Sequence, residues 1–70
     1  MLGDDLRKAR ERRGLGQRET ARLAGIAPET LGSIERGSGY PKLTTLELLA
    51  EALHIRIVID SKETTIEVED

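Results

Sequence analysis

Seven cationic side chains, Arg7, Lys8, Arg10, Arg12, Arg13, Arg18 and Arg22, fall within sixteen consecutive residues. Such a cluster can neutralise a run of phosphates on a polyanion. The chain as a whole carries a net charge of −2, which taken alone argues against nucleic acid, but the charge is unevenly distributed. Residues 1–36 hold eight Lys/Arg against six Asp/Glu, whereas residues 37–70 hold three against seven. The front is basic and the tail acidic, although a solvated charged face with no partner has the same composition. Other chemistry is thin. His54 is the only histidine, and Glu51 and Asp60 are nearby in sequence. No nucleophile–base pair or ligand cluster is recognisable, which sets an enzyme reading aside. Without cysteine there is no disulfide and no Cys-based zinc or redox site. No cofactor and no metal is expected.

The elements that must carry the cations are organised around Gln17 to Gly37, QRETARLAGIAPETLGSIERG. Thr20, Ala21, Ala24, Ile26, Leu31 and Ile34 recur at the three- and four-residue spacing of inward-facing helical positions. Gly25 stands where a first helix would end in a left-handed residue, and Ala21 is small enough for a second helix to cross close by. Pro28 opens that second helix, which runs to Arg36 and stops at Gly37. Two short helices meeting at a tight turn form a helix-turn-helix.

Around this unit the spacing predicts a first helix opened by Asp4 or Gly3, running through Arg13 and ended by Gly14, with Leu2, Leu6 and Ala9 as its apolar stripe and Leu15 continuing into the core. Ser38-Gly39-Tyr40-Pro41-Lys42 is a turn-rich loop in which Tyr40 is expected to pack. Thr44-Thr45-Leu46-Glu47 reads as a capping box opening a fourth helix that buries Leu46, Leu49, Ala50 and Leu53. The period then becomes two. Ile55, Ile57 and Ile59 form one alternating set and Thr64, Ile66 and Val68 another, which predicts two strands. Ser61-Lys62-Glu63 has the length of a hairpin loop but no Gly or Asn, so pairing within one chain and pairing between chains both remain open. Seventy residues make one small domain with a marginal core. No apolar run reaches the roughly 18 residues of a membrane span, and Met-Leu-Gly-Asp-Asp does not resemble a signal peptide. The expected location is the cytoplasm.

The segment LGQRETARLAGIAPETLGSIERGSGYPKLTTLELLAEAL resembles the helix-turn-helix of the XRE family, the phage-repressor and Cro-like DNA-binding domains of bacteria and their viruses. Leu15-x-Gln17, Ala21-x-x-x-Gly25, Ile34-Glu35-x-Gly37, Pro41 and the Leu-rich helix after it carry the likeness across residues 2–54. A fourth helix running straight into a strand is similar to HipB-type antitoxins. The resemblance implies a mostly α fold: a four-helix, lambda-repressor-like domain over residues 1–54, and a β-hairpin or β-strand dimerisation element over residues 55–70 in the same compact unit. It implies a bacterial, archaeal or phage-encoded protein whose partner is double-stranded DNA. Gln17 matches a backbone-contacting position at the start of the second helix, beside Arg18. The third helix becomes the reading helix, presenting Pro28, Glu29, Thr30, Gly32, Ser33 and Arg36 to the major groove, with Lys42 as a second phosphate clamp. Arg10 and Glu35 match positions that pair in phage-repressor relatives.

Departures from the family pattern fall on the reading helix, where Pro28 and Gly32 carry no hydrogen-bonding side chain and Glu29 repels phosphate. Direct base readout is therefore expected to be sparse. Ile55, Ile57, Ile59, Ile66 and Val68 are more large apolar residues than a lone hairpin can cover, which points to a homodimer built by the strands. Two functions stay open: a dimeric repressor on a palindromic operator, and an antitoxin that binds a toxin protein and regulates its own promoter.

Overall fold

The computed structural model describes residues 2–59 and 64–68. The order is α1 (Leu2–Arg12), α2 (Gln17–Ala24), α3 (Pro28–Arg36), α4 (Leu43–Leu53), β1 (Ile55–Ile59) and β2 (Thr64–Val68). Four helices followed by an antiparallel hairpin give the lambda-repressor-like architecture.

The first three helices stop in the same way. Gly14, Gly25 and Gly37 adopt φ of 71°, 74° and 78°, and the N–H of the next residue reaches back to a carbonyl five positions earlier. These bonds are Leu15 to Arg10 at 3.2 Å, Ile26 to Ala21 at 3.0 Å and Ser38 to Ser33 at 2.9 Å. This left-handed ending satisfies carbonyls that a helix would otherwise leave unpaired. The fourth helix has no glycine at this place. His54 itself takes φ 55° and closes α4, so the single histidine has a backbone role.

Leu6, Ala9, Ala21, Ala24, Leu31, Ile34, Leu46, Leu49, Leu53 and Ile55 form the buried core, with Leu2, Leu15, Ile26, Ala50, Ile57 and Ile66 packed against it. Each large aliphatic side chain that is fully buried contributes about 1.5–3 kcal/mol relative to exposure. Helix α1 approaches the backbone of α3 closely at Gly3. A Cβ there would lie 2.4 Å from the Ile34 carbonyl oxygen and 2.7 Å from that of Glu35, so only glycine fits the approach without movement.

Several local expectations are corrected. Helix α1 already includes Leu2 and ends at Arg12, so neither Gly3 nor Asp4 opens it. The capping box does not form. Lys42 is the N-cap of α4, with φ −70° and ψ 148° and no side-chain cap bond, and its carbonyl accepts the Leu46 N–H at 3.0 Å. The helix begins at Leu43, so Thr44 is already inside it. Tyr40 does not pack; it is fully exposed, in keeping with the extended backbone that a following proline favours.

Strands β1 and β2 pair within the chain, in the register Ile55↔Val68, Arg56↔Glu67, Ile57↔Ile66, Val58↔Thr65 and Ile59↔Thr64. The connection at Ser61-Lys62-Glu63 and the side chain of Val68 lie outside the described residues. β1 packs on α4 and β2 on α1. Ile55 is buried in its own domain, and Ile57 and Ile66 are half-buried against it. Ile55 is thus committed to its own core, whereas Ile59 is 55% exposed. On the other face Arg56 pairs across the strands with Glu67.

Candidate nucleic-acid interface

The interface is built where the amino end of α2 meets the carboxyl half of α3. Glu35, on the last turn of α3, is turned inward and accepts two bonds from Arg10 of α1, from Nε at 2.7 Å and Nη2 at 2.9 Å. A third comes from Gln17 Nε2 of α2 at 3.0 Å. Arg10 Nη1 also donates to the Leu15 carbonyl at 2.8 Å, tying in the link between α1 and α2. One carboxylate thus fixes three helices. The Arg10 and Glu35 side chains are only 11% and 4% exposed. Burial pushes the Glu35 carboxyl up, but the hydrogen bonds from Arg10 and Gln17 and the charges of Arg10 and Arg7 outweigh it. The net result lies below the ordinary glutamate range. The hydrogen bond to Glu35 raises the Arg10 guanidinium, so both groups are charged at neutral pH.

With Leu31 and Ile34 in the core and Glu35 locked inward, α3 leaves Pro28, Glu29, Thr30 and Arg36 exposed and Ser33 half-exposed. Gly32 departs from this outer set: it is buried. Its flank is closed by Arg36, whose Nη1 lies 3.1 Å from the place of a Cβ, and more loosely by Gln17 Oε1 at 3.9 Å. Gln17, Gly32, Ser33 and Arg36 are therefore brought together. Arg18 is exposed on the first turn of α2, and Lys42 is exposed at the start of α4 after the loop that leaves α3.

The basic cluster is partly spent on internal pairing. Arg7 meets Asp4 at 3.5 Å, Arg10 meets Glu35, and Arg22 meets Glu19 at 2.5 Å. Lys8, Arg12, Arg13 and Arg18 are exposed. The Gln17 bond to Glu35 had no signal in the sequence, because its acceptor arrives only when α3 folds back from eighteen residues away. No group of His, Cys, Asp and Glu able to hold a metal ion occurs among the described residues.

A family model described as helix-turn-helix matches residues 6–59. This chain belongs to the XRE-type helix-turn-helix family. It is 34% identical over 67 residues to the uncharacterized HTH-type transcriptional regulator y4dJ of Sinorhizobium fredii, covering 91% of this chain and 87% of that one. Among solved structures it is similar to the restriction-modification controller protein C.AhdI from Aeromonas hydrophila, with TM-score 0.73 and 36% identity over 74% of this chain and 79% of the other. It is also similar to SinR, a master regulator for biofilm formation solved in complex with DNA, with TM-score 0.72 and 33% identity over 76% and 86% of the two chains. The chain is a DNA-binding transcriptional regulator of this family. Among the described residues no helix is long and apolar enough to cross a membrane.

Proposed function

We propose that the protein is a homodimeric, sequence-specific repressor that occupies a palindromic operator with α3 in the major groove of each half-site. The observation that carries this reading is the three-helix lock on Glu35, which turns the charged end of α3 inward and leaves Pro28, Glu29, Thr30, Ser33 and Arg36 outward beside the amino end of α2. Helix ends of that polarity favour phosphate, so Gln17 and Arg18 hold the backbone while α3 reads base edges. Lys42 adds a second backbone contact. Such a protein acts where bacterial or phage DNA lies, in the cytoplasm.

The dimer follows from uncovered apolar surface. Leu43, Leu46, Ala50, Ile55, Ile57 and Ile59 line a groove of about 250 Å³ between α4 and β1, with Leu43 63% exposed at its rim. A second copy related by a two-fold axis covers both grooves at once and places the two reading helices about 34 Å apart, one turn of duplex. The repressor reading is preferred to the antitoxin one because its relatives are named as transcriptional regulators.

Enrichment from a random duplex pool, followed by anisotropy titrations at several salt concentrations, tests the proposal. A symmetric consensus is expected, with log affinity falling by about 0.9 per phosphate contact for each tenfold rise in salt. Failure to enrich any sequence overturns it.

A further inference from the structure

The reading helix is poor in groups that distinguish bases. Pro28 has none, Glu29 can only accept, and Thr30 and Ser33 offer single hydroxyls that suit several bases. Arg36 is the one cation of α3, but its Cα sits on the last turn, and a helix of this kind contacts bases mainly through its amino-terminal part. Its side chain resolves the conflict. Helical side chains lean towards the amino end, and Arg36 does so fully: Nη2 donates to Ser33 Oγ at 3.3 Å, and Nη1 lies 3.1 Å from the place where residue 32 would carry a Cβ. The guanidinium thus sits over residues 32 and 33, about 6 Å back along the helix from its own Cα.

We propose that Arg36 reads a guanine in each half-site, and that Gly32 is the space that lets its guanidinium lie back to do so, with Ser33 positioning it. The assignment rests on α3 entering the major groove, as proposed above. Guanine presents O6 and N7 as two adjacent acceptors on its major-groove edge, and the guanidinium fork is the one group on α3 that can donate to both. Gly32 is otherwise hard to explain, since glycine is the poorest helix former after proline. On its other side Gln17 stands at 3.9 Å, an ordinary contact, so Gln17 does not require a glycine. The tight neighbour is Arg36.

The test compares wild type, Arg36→Ala, Gly32→Ala and Lys42→Ala by selection from a random duplex pool and by anisotropy on every single-base variant of the selected site, with circular dichroism to confirm folding. In wild type one G·C pair per half-site is expected to lose about tenfold or more in affinity when changed. Arg36→Ala abolishes that discrimination while preferences elsewhere in the site persist. Gly32→Ala melts at the wild-type temperature or above, yet loses several-fold discrimination at the same pair because the guanidinium is displaced. Lys42→Ala weakens all sequences alike. If Arg36→Ala also weakens all sequences alike and leaves the guanine preference intact, Arg36 is a phosphate contact and the assignment is overturned. Unchanged discrimination in Gly32→Ala overturns the role given to Gly32. If wild type enriches no sequence at all, base reading by α3 fails, and this assignment with it.

Discussion

Gln17 donates to the same Glu35 oxygen that accepts Arg10 Nη2, at 3.0 Å and 2.9 Å, so α1 and the amino end of α2 share one acceptor at the carboxyl end of α3. The angle between α2 and α3 is held by this oxygen as well as by Ala21 and Leu31 in the core. Removing its charge should therefore disturb more than one pair.

Glu35→Gln strands the nearly buried Arg10 charge. Breaking a buried pair by removing one partner costs about 3–5 kcal/mol. For a domain of this size each kcal/mol lowers the melting temperature by about 4–8 °C. A drop of more than about 10 °C is expected in thermal denaturation followed by circular dichroism, and an unchanged melting point would show that solvent compensates Arg10.

The pH dependence has a definite sign. Glu35 lies below its ordinary value of 4.5 when folded, so the unfolded chain binds its proton first as pH falls. Its contribution is complete above about 4.5 and disappears as pH drops through the lower folded value. The stability difference between wild type and Glu35→Gln should be constant near neutrality and shrink below about pH 4.5. Urea unfolding at stepped pH measures it; a difference that grows on acidification contradicts the assignment.

Thr20 is fully buried, and its Oγ1 has no hydrogen-bond partner among the described residues. Valine has the same shape without the hydroxyl and a comparable helix propensity. Thr20→Val should stabilise the domain by about 1–2 kcal/mol, since an unpaired buried hydroxyl is removed and no cavity is made. Chemical denaturation would register this as a higher midpoint at unchanged slope. A lower midpoint means that the hydroxyl is satisfied in solution.

Local signals in the sequence were enough for the helix-turn-helix, because Gly25, Pro28 and Gly37 act through their own backbone dihedrals. They were not enough where a residue answers to something distant. Gly3 is set by the Ile34 and Glu35 carbonyls, which no pattern near residue 3 encodes. Gly32 looked like part of an outer face until the reach of Arg36 was visible. Thr44-Thr45-Leu46-Glu47 has the letters of a capping box, but Lys42 is the N-cap of α4 and Leu43 begins the helix before it. Arg10 and Glu35, twenty-five residues apart, are joined only by the resemblance. The alternation of Ile55, Ile57 and Ile59 located the strand without revealing that its three side chains differ: the first is core, the second half-buried and the third exposed.

That gradient decides how the dimer must be tested. Deleting residues 55–70 would remove Ile55 from the core and unfold the domain, so loss of dimer would carry no information about the interface. Point changes at the rim avoid this. Leu43→Lys and Ile59→Lys place charges on side chains that are 63% and 55% exposed, where a folded monomer tolerates them within about 0.5 kcal/mol. In the dimer the same charges are buried without partners. Light scattering should therefore give a dimeric mass for wild type and a monomeric mass for either variant, with unchanged circular dichroism. Binding to a full palindrome should fall steeply, while binding to a single half-site should not. Variants that remain dimeric would move the interface elsewhere on the molecule.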